Sequence, residues 1–394
     1  MKKIKLLILT VCGVFALTII PFKSNADTKS AISKEITISN DYVKILEEYS
    51  EYPDEISKYL YSLSNEELIN AIRDVSEYLE EKDIPTNMMV FVSVAKDNLM
   101  KNLKEDDYIK IINDDKNSDL MRMFFIDMYN SSGETSVSYN KYLRNIVKNT
   151  NENPEIRTYS LTSIKDLGKE DVPMLKDILN SSVKSEEFKA FALQNYTKIN
   201  PEEAIELNMD ILSNYENYSD REVLTSMKSI SKVYYKDMLK NESAPNIKTI
   251  SGTKSNNFNL DEALNKIDNI LSNTDKGLLK DGATFALSDM KNEKALDIVI
   301  KNKKNIDDYV IKDVIDQNFT TVKSMIKSGE NIDLALECID IMPMKEFKDL
   351  LNTVKTNNSF TNKLKSNNSS KSISDLEDKI EKNNYKHNSK WDMN

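Results

Sequence analysis

Residues Glu155 to Leu179 (EIRTYSLTSIKDLGKEDVPMLKDIL) and Glu187 to Leu212 (EFKAFALQNYTKINPEEAIELNMDIL) carry one pattern twice, offset by 32 residues at the start and 33 at the end. The units align as acid, apolar, basic, any, aromatic, small, Leu: Glu155, Ile156, Arg157, Tyr159, Ser160, Leu161 against Glu187, Phe188, Lys189, Phe191, Ala192, Leu193. Ile164 and Leu167 then match Tyr196 and Ile199, and Val172, Leu175, Ile178, Leu179 match Ala204, Leu207, Ile211, Leu212. Each unit is a helix, a turn and a helix. A pair of that length cannot bury its apolar face alone, so the period predicts stacked helix pairs, an all-α α-solenoid.

The first unit resembles a HEAT-like (armadillo-type) α-helical repeat of the bacterial kind. Arg157 stands in the apolar-Arg start, Leu161 at helical spacing, Leu167-Gly168 at the turn, and Val172-Pro173 at the opening of the second helix. Gly168 suits a C-terminal cap needing positive φ, and Pro173 an early helical position. The second unit departs, with Asn200-Pro201 at the turn and Ala204-Ile205 lacking the Pro. A weaker echo runs through Ala283, Thr284, Phe285, Ala286, Leu287 and Met290 to Ala295, Leu296, Ile298 and Val299. The clear resemblance covers about 155–212. It implies a fold and no particular activity, because similar repeats serve as scaffolds, as regulatory modules and, more rarely, inside enzymes.

The rest of the chain also reads as helix. Only seven glycines are present, too few for repeated hairpin turns. Val43, Ile45, Leu46 and Tyr49 form one helical stripe, Ile56, Tyr59, Leu60 and Leu63 a second, and Leu68, Ile69, Ile72, Val75 and Leu79 a third. Ser64 and Glu67 have capping-box spacing, and Pro53, Pro154 and Pro201 sit where helices start.

At the N-terminus Lys2, Lys3 and Lys5 precede an apolar run, Leu6 to Phe22, followed by Ser24-Asn25-Ala26. This is the order of a signal peptide cleaved after Ala26; a retained N-terminal anchor is the alternative. Val11 stands where a lipobox before Cys12 needs a small residue, which argues against lipid attachment. Residues 27–40 are a polar leader, 41–240 a helical block, 241–258 a loop, and 259–356 a second helical-repeat block. Residues 357–394 form a polar, mostly disordered tail with a helical piece at Ile373 to Ile380.

Removal of 1–26 takes four of the 54 basic residues and none of the 64 acidic ones, leaving 50 against 64 and a formal charge of −14. Such a surface repels nucleic acid and anionic lipid, and favours a basic protein or peptide partner. No long apolar helix beyond residue 26 predicts stable membrane insertion. One cysteine, Cys338, remains after Ala26, so no internal disulfide forms. Abundant Lys, Asn and Ile with no disulfide fits export from a low-GC bacterium.

Candidate chemistry is sparse. His387, the single histidine, lies in the tail beside Trp391 and reads as a bystander. Cys338, among Leu334, Ala335, Leu336 and Ile339, reads as a buried small hydrophobe. Glu202-Glu203 and Asp106-Asp107 fit helix starts, where the dipole favours acids. Asn113 to Asp119 has the composition of a calcium loop without its Gly or closing Glu. Gly252-Thr253-Lys254-Ser255 ends like a phosphate loop but lacks the rest of that motif. Tyr42, Tyr49, Tyr52, Tyr59, Tyr61 and Tyr78 form either a half-buried core edge or an aromatic binding face. No residue is assigned as catalytic, cofactor-binding or metal-binding, and no cofactor is expected. The expectation is an exported, non-catalytic interaction protein, released or held at the cell envelope. Alternatives are a secreted effector or bacteriocin-associated protein, and a wall-glycan hydrolase using paired carboxylates. The slightly basic tail would pair with the body or with anionic wall polymers.

Overall fold

The structure is a computed structural model that describes residues 42–48, 53–81, 88–134, 136–242, 259–356, 373–383 and 385–388, with backbone alone at 47–48, 80–81, 233–242 and 353–356. The proposed signal segment and leader, Tyr49, Tyr52, residues 252–255 and Trp391 lie outside the described residues. The described residues are 80% helix, in twenty packed α-helices, with no strand among them.

The chain forms two compact units. The first runs through Gly168 and takes in Ser182–Phe191; the second holds Lys169–Ser181 and everything from Ala192 onward. Unit 1 begins with α1 (Tyr42–Glu48), α2 (Pro53–Ser62), α3 (Asn65–Glu81) and α4 (Met88–Asn102). It continues with α5 (Glu105–Asn113), α6 (Asp119–Ser131), α7 (Val137–Lys148) and α8 (Pro154–Ser163). The three apolar stripes bury as their spacing requires: Ile45 and Leu46 on α1, Ile56 and Leu60 on α2, Leu68, Ile72, Val75 and Leu79 on α3. α2 and α3 stay separate because Ser64 and Glu67 cap the second. Glu67 accepts the Ser64 N–H at 2.8 Å, and the Ser64 hydroxyl accepts the Glu67 N–H at 3.3 Å. Ser118, Ser136 and Asn153 cap α6, α7 and α8 in the same way, taking one of the first unpaired amides of each helix. α6 lies centrally, packed on α3, α4, α5 and α8.

Two further helices carry the end of the sequence repeat: α9 (Val172–Asn180) in unit 2, and α10 (Glu186–Ile199), which crosses the division. Ile156, Ser160, Leu161 and Ile164 are buried, as are Phe188, Ala192, Leu193 and Tyr196 at the aligned positions. The basic position is used in the first unit. Arg157 is buried, donates Nε–H to the Val147 carbonyl at 2.9 Å, and lies 4.8 Å from the Phe188 ring centroid. One expectation of the repeat is corrected. α8 ends at Ser163, five residues before Gly168, and Gly168 is not at positive φ. The chain leaves α8 through an extended Ile164, so no left-handed cap is required.

Unit 2 continues with α11 (Pro201–Ser213), α12 (Asp220–Glu242), α13 (Leu260–Asn273), α14 (Gly277–Asp289) and α15 (Glu293–Lys301). α16 (Asp308–Gln317), α17 (Phe319–Ser328), α18 (Ile332–Ile341), α19 (Phe347–Thr356) and α20 (Ile373–Lys382) complete it. Helices pack on their next and next-but-one neighbours. α12, α14 and α16 make one row, α11, α13 and α15 another, and one continuous apolar core from Leu193 to Ile380 lies within the unit. The helices on either side of residues 243–258 therefore belong to the same unit. α12 and α14 approach closely at Gly282, where an added Cβ would lie 2.0 Å from Leu224 Cδ2.

Gly329 is a left-handed cap in unit 2, ending α17 at φ 76° and donating its N–H to Met325 O at 3.0 Å. Gly329→Ala is expected to lower the stability of unit 2 by about 1 kcal/mol, because a Cβ opposes that conformation. A shift in urea midpoint with unchanged slope would show it; an unchanged midpoint would contradict it.

The described part of the tail lies on unit 2, at the helical piece expected from sequence. Leu376 and Ile380 of α20 are buried and the helix packs on α18 and α19.

Candidate functional site

The densest set of perturbed titratable side chains is in unit 1, where α5, α6 and α7 meet. Tyr108, Tyr129 and Tyr139 are buried. Ring centroids lie 5.2 Å apart for Tyr108 and Tyr129, and 3.8 Å apart for Tyr129 and Tyr139. Burial pushes the Tyr108 phenol up to about 12 and raises Tyr129 and Tyr139 further. Glu105 takes the Tyr129 hydroxyl at 2.8 Å and the Ser138 hydroxyl. Burial opposes ionisation there, yet bonds from Ser138, Ser136 and Tyr129 hold the Glu105 carboxyl below its usual range. The three phenols pack as rings against one another. The cluster is a structural wedge. Beside it, α3, α4 and α6 leave an apolar recess lined by Ile72, Val75, Phe91 and Phe124, with room for little more than a water molecule.

The carboxylates weighed from sequence are also structurally engaged. Asp107 accepts the Lys104 N–H at 2.9 Å at the start of α5. In the 113–119 turn, Asp114 accepts the Lys116 N–H at 3.1 Å, while Asn117 donates to Ile111 O at 2.8 Å. Glu203 pairs with Lys176 at 2.6 Å and with the Tyr196 hydroxyl at 3.0 Å; the Lys176 bond leads in holding its carboxyl below the usual range. Cys338 is fully buried in the core of unit 2. Tyr42 is buried and Tyr59 and Tyr78 are half-buried, leaving Tyr61 exposed with its hydroxyl on Asp97 at 2.8 Å. Of the described N-terminal tyrosines, then, most form a core edge. His387 lies on unit 2 with its side chain 7% exposed and Nδ1 2.6 Å from Asp316 Oδ1.

What unit 2 exposes is different. Leu278 and Phe285 of α14 are 57% and 45% exposed, and Tyr309 of α16 is 66% exposed. Leu278 and Phe285 are seven residues apart and share one face, opposite the stripe of Leu279, Ala283, Ala286, Leu287 and Met290 that enters the core. Asp281 and Asp289 lie on the same exposed face, and neighbouring α12 exposes Lys228 and Lys232. Desolvation raises the Asp289 carboxyl, against the pull of Lys228, Lys232 and Lys291, although solvent still reaches the residue. This is a crowded, charge-rimmed surface with apolar side chains at its centre.

The sequence held a signal for this surface. Leu278 and Phe285 sit one position before Leu279 and Ala286 in the seven-residue spacing, so they fall off the buried stripe. In the helical echo around Ala283 to Leu287, Phe285 was absorbed into the apolar pattern. Among the described residues, no group of three or more His, Cys, Asp and Glu is placed to hold a metal ion, and no helix is long and apolar enough to cross a membrane. No protein family, curated protein or solved structure matches the chain.

Proposed function

We propose that the chain is an exported, non-catalytic interaction protein that holds a basic protein or peptide on a helical-repeat surface outside a bacterial membrane. The observation that carries this reading is the exposed pair Leu278 and Phe285 on α14, with Tyr309 on the next helix of the same row. Large side chains set outward on one helix row, ringed by charge, fit the apolar centre and polar rim of a protein interface. The two helix rows of unit 2 support an α-solenoid of HEAT-like repeats, an architecture whose repeats build extended binding surfaces. The acidic balance of the chain, −10 overall, favours a basic partner. Export rests on the Lys2–Ala26 pattern, and localisation is released or at the envelope.

The test compares two baits, residues 27–394 as wild type and with Leu278→Asp and Phe285→Asp together, against envelope and supernatant extracts. A partner held by wild type, lost by the double variant and weakened by salt is the expected outcome. Both positions are exposed, so the variant should keep its helicity, and affinity should fall at least about tenfold for loss of one apolar anchor. The same proteins bound by both baits would sink the reading.

A further inference from the structure

The C-terminal segment is held by two kinds of contact. α20 buries Leu376 and Ile380, and pairs Lys379 with Asp340 and Glu381 with Lys348 at 2.8 Å. Residues 385–388 then reach back to α16 and α17. The Lys345 N–H donates to Tyr385 O at 3.3 Å, and the Lys312 ammonium lies 5.5 Å from the Tyr385 ring centroid. His387 stacks on Phe319, centroids 4.3 Å apart and planes 20° apart, with Nδ1 2.6 Å from Asp316 Oδ1. The Asn388 N–H donates to both Asp316 oxygens, at 3.2 and 3.4 Å.

An ionised carboxylate only accepts hydrogen bonds, so the Nδ1 of His387 carries the proton. Asp316 thus reads two donors from adjacent residues, an imidazole N–H and a backbone N–H, while Phe319 fixes the ring plane. Both readers are held rigidly: Asp316 is buried in the last turn of α16, and Phe319 opens α17 against Phe347 at 5.2 Å.

We propose that Asp316 and Phe319 form a recognition site for a peptide carrying histidine followed by a free backbone N–H, and that the chain's own residues 385–388 occupy it as a releasable clasp. The clasp is releasable because α20, the helix beside it, buries only two apolar side chains, Leu376 and Ile380. That small apolar gain is set against the entropy of ordering the segment, so the polar grip on His387 and Asn388 decides whether it stays down.

Deuterium exchange of the full chain, read by mass spectrometry, tests this. Asp316→Ala and His387→Ala should each speed exchange over 385–388 about tenfold, with α13 to α15 unchanged. Asp316→Ala already removes the partner of both donors, so adding His387→Ala to it should add less than His387→Ala does alone. Asp316→Asn keeps one accepting oxygen and should fall between. Protection that holds across about a hundredfold dilution supports occupation by the same chain. Unchanged exchange in His387→Ala, additive effects in the double variant, or protection that fades on dilution would each overturn the proposal.

Discussion

Replacing Arg122 by alanine is expected to destabilise unit 1 by about 3 kcal/mol, the low end of the range for breaking a buried ion pair, because both side chains keep some exposure. Its guanidinium grips Glu152 with two parallel bonds, at 3.0 and 2.5 Å, and its Nε–H donates to Ile112 O at 2.7 Å. Both side chains are largely covered, so the orphaned carboxylate would remain in a poor environment for charge. Replacing both partners, Arg122→Met with Glu152→Leu, should recover most of the loss. The pair also sets a pH dependence. The Arg122 bond holds the Glu152 carboxyl below its ordinary value, with burial opposing. A depressed carboxylate contributes stability above its unfolded pKa, about 4.3, and loses it as pH falls through the folded value. The acid limb of the stability curve should therefore flatten in Arg122→Ala. A loss below about 1 kcal/mol, typical of an exposed pair, or an unaltered acid limb, would count against this account.

Phe125→Ala is expected to cost a similar amount, about 3–5 kcal/mol, through lost burial and the cavity left behind. Phe125 is fully buried on α6, edge-on to Tyr108 at 6.2 Å and to Phe124 at 5.8 Å. α6 packs on four other helices, so a void at this position has neighbours on several sides that cannot all close in. Residue-resolved hydrogen exchange should show faster opening of α3 to α8 while α13 to α18 keep their rates. A unit 1 midpoint within about 1 kcal/mol of wild type would show that the aromatic wedge repacks readily.

The helical class was legible because it is written locally. Stripes such as Leu68, Ile72, Val75 and Leu79 need only a helical period to be recognised, and Ser64 with Glu67 marks its own boundary. Gly168 was misassigned because a glycine near a helix end has two equivalent explanations in sequence, and only backbone geometry separates them. The roles of His387 and Asp316 were hidden for another reason. Their contact joins residues 71 apart, and nothing local to the polar tail announces a distant carboxylate. The exposed row of Leu278 and Phe285 lay between these cases. Its spacing was visible, but an apolar residue one step off the buried stripe looks like core until its neighbours are placed.

The neighbour-to-neighbour packing of unit 2 has a consequence for how the chain acquires its shape. Contacts between helices close in sequence form with little loop-closure cost, so α11 to α19 are expected to assemble quickly and progressively from either direction. The exception is the return of residues 385–388 to α16 and α17, a contact between residues 71 apart in sequence. That contact therefore closes late, after the helices that carry Asp316 and Phe319 have packed.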